Sequence, residues 1–215
     1  MSREPHPSKD ARMPGLSTRE RLMDAAVECL IELGVAGTTT LAVQRKAEVS
    51  RGALLHHFPS HATLLAASVA ELVKRNEQAV LHSRAELRAS SDKLETAIRS
   101  LAFAARQPAY LAELELWAVA RTDTVLKQAL IAAERVAKRD LERVYASLFG
   151  DWASSEAYDD VVSLTLHLVR GLAVSENIRG SIQRRERLIA AWTSAVRMML
   201  RQGAPNKDSK RAGRD

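Results

Sequence analysis

The run Ser50-Arg51-Gly52-Ala53-Leu54-Leu55-His56-His57-Phe58-Pro59 brings together a helix-capping hydroxyl, a guanidinium, two small residues and a pair of imidazoles. Ser50 can accept a hydrogen bond from an amide in the first turn of a helix that starts after it. Arg51 falls in that first turn, where its fork of donors can meet guanine O6 and N7 or hold a phosphate. Gly52 and Ala53 allow a close backbone approach, and Leu55 and His56 continue the outward side. Leu54 and Phe58, four apart, share the opposite face and would fix the helix on whatever packs beneath it. Pro59 cannot continue the helix. The chemistry on offer is hydrogen bonding and close approach to a polyanion.

Other chemistries are poorly represented. His56, His57 and His61 raise metal ligation, but adjacent helical residues point ~100° apart and no spaced carboxylate or thiol completes a site. No metal and no cofactor are expected. The chain has no Gly-x-Ser-x-Gly elbow, phosphate loop or dinucleotide glycine motif, so an enzyme is not expected.

Presenting Arg51 requires a scaffold, and the preceding residues spell one. Ser17-Thr18-Arg19-Glu20 reads as a capping box opening a first helix, in which Leu22, Ala25, Ala26, Cys29, Leu30 and Leu33 recur as a buried stripe. Gly34 should end that helix. Thr38 or Thr39 caps a second helix, with Leu41, Val43 and Ala47 expected inward. Ser50 caps the third, which runs to about His57, and Ser60 caps a long fourth helix to about His82. Two short helices joined by a tight turn, the second exposed at its start, have the layout of a helix-turn-helix, whose second helix enters the major groove.

The wording over roughly residues 18–66 resembles the tetracycline-repressor (TetR) family of one-component transcription regulators. Most of the family run Thr-x-x-x-Ile-Ala-x-x-Ala-Gly-Val-Ser-x-Gly-x-Leu-Tyr-x-His-Phe stands from Thr39 to Phe58. The resemblance implies that Thr39 contacts phosphate, that His56 meets the backbone and that His57 caps or packs. It also marks departures. Leu55 replaces a tyrosine, losing a hydroxyl and keeping an apolar contact. His61 replaces a phosphate-gripping lysine and would hold less firmly near neutral pH. Gln44 replaces an alanine and either reaches phosphate or crowds the first helix. Glu48 occupies a turn position usually held by glycine, where a left-handed backbone would cost a side chain ~1 kcal/mol. The DNA-contacting set is therefore Thr39, Gln44, Ser50, Arg51, Gly52, Ala53, Leu55, His56 and His61.

Bulk properties set wide limits. The 215 residues, 46% hydrophobic, allow one large domain or two smaller ones. The net charge of +6 and pI near 9.8 suit a polyanionic partner but suit a solvated basic surface equally well. Within residues 18–60, Arg19, Arg21, Arg45, Lys46 and Arg51 nearly cancel against Glu20, Asp24, Glu28, Glu32 and Glu48. DNA affinity must then come from placement, helix N-termini and duplication in a dimer. Cys29 is the only cysteine and reads as a buried thiol. No apolar run approaches a membrane span, and no signal-peptide core is visible, so no membrane partner and a cytoplasmic location are expected.

The expected architecture is all-α. It comprises an arm over 1–16, a three-helix DNA-binding domain over 17–62, a helical effector-binding and dimerisation bundle over 63–202 and a basic tail over 203–215. Arm and tail are rich in polar and charged residues and read as disordered. Bundle helices are expected at about 92–106, 109–121, 124–148, 157–179 and 184–201, punctuated by Pro108, Thr122-Asp123, Gly150-Asp151 and Gly180-Ser181. An effector pocket between them would draw its polar wall from Arg106, Tyr110, Glu113, Trp117, Arg121, His167 and Arg170. His167, flanked by apolar residues, equally suits a core histidine.

The family resemblance implies that the last two long helices pair with those of a second subunit. Leu164, Leu168, Gly171 and Leu172, with Leu188, Trp192, Ala195, Val196 and Met199, would form that interface. The alternative is an ordinary monomer core. The expected function is a dimeric regulator, a repressor more than an activator, that binds an inverted-repeat duplex operator and is released by a small-molecule effector. A regulator without a small-molecule effector and a helical protein-interaction adaptor are the alternatives.

Overall fold

Helix boundaries follow the local signals closely in the computed structural model, which describes residues 16–86 and 92–202 and the side chains of 16–83 and 92–201. The expected arm, apart from Leu16, and the tail over 203–215 lie outside the described residues. Among those residues the secondary structure is nine α-helices, one 3₁₀ turn and no strand.

Helix α1, Thr18–Gly37, opens with the full capping box: Glu20 N–H donates to Ser17 Oγ, and Ser17 N–H donates to Glu20 Oε2. Gly34, with φ +69°, breaks the regular helix, and the chain resumes one short turn to Gly37. Thr39, not Thr38, caps α2 (Thr40–Lys46), its Oγ1 accepting from Ala42 N–H. Thr38 is instead buried and donates through Oγ1 to the Gly34 carbonyl. Ser50 caps α3 (Arg51–His57) by accepting from Ala53 N–H. Ser60 and Thr63 exchange hydrogen bonds at the start of α4, His61–Glu86. That helix is one turn longer than expected.

The remaining helices are α5 (Lys93–Ala104), α6 (Pro108–Ala120), α7 (Thr124–Phe149), α8 (Tyr158–Glu176) and α9 (Ile182–Gln202), with the 3₁₀ turn Gly150–Ser154 between α7 and α8. Pro108 opens α6, and Asp123 caps α7 through Leu126 N–H. Thus the punctuation residues act as caps and first-turn residues, as their chemistry requires.

Three buried clusters organise the interior. The first joins α1 to α3 through Leu22, Ala26, Cys29, Val43, Leu54 and Phe58, closed by Leu64 of α4. The second joins the other side of α1 (Val27, Leu30, Val35) to α4, α6 and α7. The third fills the bundle between α5, α7, α8 and α9. Helix α1 therefore belongs to the three-helix head and to the bundle at once. Burial lifts the Cys29 thiol above its ordinary pKa, in keeping with a packed thiol. Leu33 and Leu41 are half exposed, contrary to the inward positions expected of them. The interruption at Gly34 takes Leu33 off the buried stripe, and Leu41 lies in the first turn of α2, where Val43 supplies the anchor.

Candidate nucleic-acid interface and interior polar cluster

Helix α3 is held by one face and bare on the other. Leu54 and Phe58 are buried, and the Arg19 guanidinium lies 5.7 Å from the Phe58 ring centre. Ser50, Arg51, Gly52, Leu55 and His56 are exposed, with Ala53 between them half-buried. Arg51 makes no ion pair among the described residues, so its donors are free for an outside acceptor. Lys46 is otherwise engaged: its Nζ bonds Glu32 at 2.7 Å and Glu28 at 3.2 Å, clamping α2 to α1. A Cβ built on Gly52 would meet only Ser50 Oγ, at 3.9 Å. Nothing inside the protein demands glycine there, although glycine weakens a helix by ~1 kcal/mol relative to alanine.

Thr39 is exposed at the α2 cap, and Gln44 is half-buried on the same helix. His61 is exposed, and its Nε2 donates to the Thr38 carbonyl at 2.5 Å, tying the start of α4 to the α1–α2 turn. Only its second ring nitrogen is left for a phosphate. His57 is half-buried, its ring edge-to-face with His56 at 5.1 Å, as expected of a packing residue. Glu48, in the turn between α2 and α3, has φ +53°, the single positive φ on a non-glycine among the described residues. The left-handed turn expected from the missing glycine is thus present and occupied by a glutamate. No three His, Cys, Asp or Glu side chains converge on a common point among the described residues.

The expected effector-wall residues separate into a cluster and outliers. Glu113 of α6 is buried, and its Oε2 accepts from Asn76 Nδ2 of α4 at 2.5 Å. Burial pushes its carboxyl up to about 7, against the lowering effect of the Asn76 bond. The Arg170 guanidinium of α8 stacks 4.1 Å from the Trp117 ring centre, and its Nε donates to Tyr110 Oη at 3.3 Å. Burial also raises the Tyr145 phenol of α7, with Tyr110, Glu113 and Arg170 among the groups acting on it. Two polar atoms of the cluster, Asn76 Oδ1 and Trp117 Nε1, are buried without a partner.

Arg121 is exposed at the α6 C-cap. His167 is exposed on α8, its Nδ1 bonded to the Ser163 carbonyl, so it is neither a core histidine nor part of the cluster. Its place in the α8 helical phase turns it outward with Leu164. Arg106 lies apart as well, 3.5 Å from Glu176 at the rim of a cavity of about 250 Å³ lined also by Asn177, Ile182 and Arg185. Arg185 there is already paired with Glu176 and the Ala102 carbonyl. Asn76 was missed from sequence. Its signal is a polar residue at core spacing with Val69, Leu72, Val73 and Val80 in α4.

The expected subunit-contact residues also divide. Leu164 is 48% exposed, Gly171 is exposed and Leu168 is half-buried on α8, a stripe continued by Val174 at 50%. On α9, Leu188, Trp192, Ala195 and Met199 are half-buried, and Met198 is 61% exposed. The Trp192 indole donates to Thr165 Oγ1 at 2.9 Å, which fixes the ring against α8. Leu172 and Val196, expected at that contact, are instead packed into the protomer's own bundle cluster. They sit one step around their helices from the exposed stripes.

Comparison with known proteins agrees with this geometry. Residues 22–68 match the family model described as bacterial regulatory proteins, tetR family. An uncharacterised HTH-type transcriptional regulator of Mycobacterium tuberculosis is 26% identical over 182 residues, 83% of this chain and 92% of that protein. The HTH-type transcriptional regulator CymR of Pseudomonas putida is 28% identical over 177 residues, 80% of this chain and 86% of that protein. Among solved structures, a transcriptional regulator from a Rhodococcus species superposes with a TM-score of 0.61 at 22% identity, covering 88% of this chain and 99% of that one. The multidrug binding protein EbrR, complexed with proflavin, gives 0.59 at 16% identity, covering 85% and 99%. No helix among the described residues is long and apolar enough to cross a membrane. The capped, outward-facing α3 lies inside the segment that matches the tetR family model, and over most of its length the chain is similar to helix-turn-helix transcriptional regulators.

Proposed function

We propose that the chain is a homodimeric repressor whose two α3 helices enter successive major grooves of an inverted-repeat operator, and that a small molecule held in the bundle releases it. The observation that carries the DNA half is the exposed set Ser50, Arg51, Gly52, Leu55 and His56, held rigid by buried Leu54 and Phe58. Thr39, Gln44 and His61 flank that set and supply the backbone contacts, with Ala53 at its centre. Half-sites read by a two-fold dimer lie one helical turn apart, ~34–36 Å. Exposed Leu164, Gly171 and Val174 with half-buried Leu168 on α8, and exposed Met198 with half-buried Leu188 and Ala195 on α9, support the dimer, since apolar surface of this kind on an isolated chain favours association. Such a role belongs in the bacterial cytoplasm.

Release requires a physical link between bundle and head, and α6 supplies one. Glu113 and Trp117 face the polar cluster, while Ala109, Ala112 and Leu116 share a buried cluster with Val27, Leu30 and Val35 of α1. The Glu115 carboxylate lies against Gly34, where a built Cβ would stand 2.9 Å from Oε2. A ligand that shifts α6 therefore pushes on the base of the DNA-binding head. An effector of this kind must bind the released state more tightly, with a coupling of ~1–3 kcal/mol. Gel-shift titration against the promoter beside the chain's own gene tests the DNA half: a sequence-specific, salt-steep retardation is expected, and binding with no sequence preference refutes it. Ligand-dependent thermal shifts separate an effector-responsive protein from one without an effector.

A further inference from the structure

The interior cluster has the composition of a cation site that is already holding a cation of its own. A planar guanidinium, that of Arg170, lies 4.1 Å over the Trp117 face, the geometry of a cation–π contact. Beside it is a buried carboxylate, Glu113, which accepts a hydrogen bond from Asn76. Arg170 does not form an ion pair with that carboxylate; its Nε is directed to Tyr110 Oη at 3.3 Å, a long bond. The buried acceptor Asn76 Oδ1 and donor Trp117 Nε1 have no partner, and Asn76 itself is 8% exposed. A buried carboxylate without a salt bridge, on which the Arg170 charge acts only at a distance, and an unpaired acceptor beside it are costly features for a helical core to keep. Both are answered by the same visitor, a group with N–H donors and a positive charge.

We propose that Glu113, Asn76 and Trp117 form the effector site for a planar organic cation of the amidinium or guanidinium type, which binds by displacing the Arg170 side chain from the Trp117 ring. This rests on the reading of the bundle as an effector domain and names the chemical class of the effector. The ligand's N–H groups donate to a Glu113 carboxylate oxygen and to Asn76 Oδ1, and its flat body takes the ring face that Arg170 vacates. Arg170, only half-buried, moves toward solvent, so no charge is stranded inside. Arg170 is a resident competitor in this scheme, not a ligand-binding group. Asn76 from α4, Glu134 from α7 and Arg170 from α8 act on Glu113, Glu113 acts in turn on Tyr145 of α7, and Tyr110 and Trp117 lie about one turn to either side of it on α6. Binding of a cation favours the ionised carboxylate, and with a carboxyl near 7 the ionised fraction rises about tenfold from pH 6 to pH 8.

The test uses three molecules of nearly one shape: benzamidine, benzamide and benzoate. Each is titrated into the full chain while the Trp117 indole N–H resonance is followed by NMR, assigned with the W117F variant. Benzamidine should move that resonance saturably, with a Kd at least tenfold below those of benzamide and benzoate. It should bind about tenfold more weakly at pH 6 than at pH 8. Glu113→Gln, which keeps the shape and a partner for Asn76, should remove both the charge preference and the pH effect. Arg170→Met should tighten benzamidine binding severalfold, because the competitor is gone. Tightest binding by benzoate with loss in Arg170→Met, equal binding by all three, or no shift at Trp117 overturns the proposal. Operator retardation measured without ligand keeps the failures apart. If it persists while benzamidine fails, only the ligand class falls; if it is absent, the regulatory role itself falls.

Discussion

Glu48→Gly isolates the energetic cost built into the helix turn. Glu48 sits in the left-handed region with φ +53°, between α2 and α3, where its own N–H bonds the Arg45 carbonyl at 3.2 Å and the next N–H bonds Gln44 at 3.2 Å. Those two bonds hold the turn whatever side chain occupies it. A side chain in this region costs ~1–2 kcal/mol relative to glycine, and the greater freedom of glycine in the unfolded chain returns ~0.4–1 kcal/mol of that. The net expected gain from Glu48→Gly is therefore ~1 kcal/mol, which for a chain of this length raises Tm by ~2–4 °C. Glu48→Asn should recover part of the gain, since asparagine tolerates this backbone, whereas Glu48→Ala should recover none. All three replacements are neutral and remove a carboxylate beside α3, so each variant should bind a duplex more tightly at low salt. Thermal and urea unfolding of the four proteins at matched concentration check the order. If alanine stabilises as much as glycine, the cause is charge and not backbone strain, and the argument from φ is refuted. If none of them changes stability, the turn relaxes without cost.

Three further outcomes follow from the structure. Arg51→Ala should weaken specific operator binding by ~1–3 kcal/mol and leave the melting temperature unchanged, because Arg51 has no ion pair among the described residues; unaltered affinity would remove Arg51 from base or phosphate contact. Glu113→Gln should stabilise the ligand-free protein at pH 8 by up to ~3 kcal/mol, since the native carboxyl near 7 lies above its ordinary value of 4.5. The sign is fixed: the folded state holds the extra proton between those two values, so this group's stabilising effect is fullest below about 4.5 and declines as pH rises through about 7. Urea midpoints from pH 5 to 8 that fall equally in both proteins would contradict it. Leu164→Glu should shift sedimentation toward the single chain without loss of helical circular dichroism; an unchanged sedimentation coefficient would place the subunit contact elsewhere.

How much of this was legible beforehand depends on whether the deciding physics is local. Caps are local, so Ser17, Thr39, Ser50, Ser60 and the breaks at Pro108 and Gly150 placed most helix ends within a few residues. The outward side of α3 was legible for the same reason, since Leu54 and Phe58 fix its rotation and the rest follows from the helical repeat. Facing in the bundle was less legible. An apolar residue at helical spacing satisfies either a protomer core or a subunit contact, and only the packing partner decides which. Leu172 and Val196 went inward and Leu164 and Gly171 outward for that reason. The polar cluster was half legible: Tyr110, Glu113, Trp117 and Arg170 were visible as unusual residues, but their grouping depends on α6 and α8 meeting across the bundle, with α4 adding Asn76. Arg106, Arg121 and His167 carried the same sequence signal and were not gathered in.

Two glycines connect the local level with the quaternary one. Gly52 in α3 and Gly171 in α8 both lie inside helices, where each weakens the helix by ~1 kcal/mol relative to alanine. Neither has a positive φ, and a Cβ at either position would meet no backbone or packed side chain: only Ser50 Oγ at 3.9 Å for Gly52, and nothing within 4 Å for Gly171. By contrast, Gly34 is required from within, by its φ of +69° and by the Glu115 carboxylate against it. Folding of the single chain therefore accounts for Gly34 and leaves Gly52 and Gly171 unaccounted for. What remains is a demand from outside the chain. The surfaces on which they lie are the exposed side of α3 and the apolar stripe of α8, each of which is otherwise furnished for a partner: free donors on the first, Leu164, Leu168 and Val174 on the second. A duplex approached closely at Gly52 and a second subunit approached closely at Gly171, as proposed above, would supply a reason in both places with one physical cause, the absence of a side chain where two surfaces must come together.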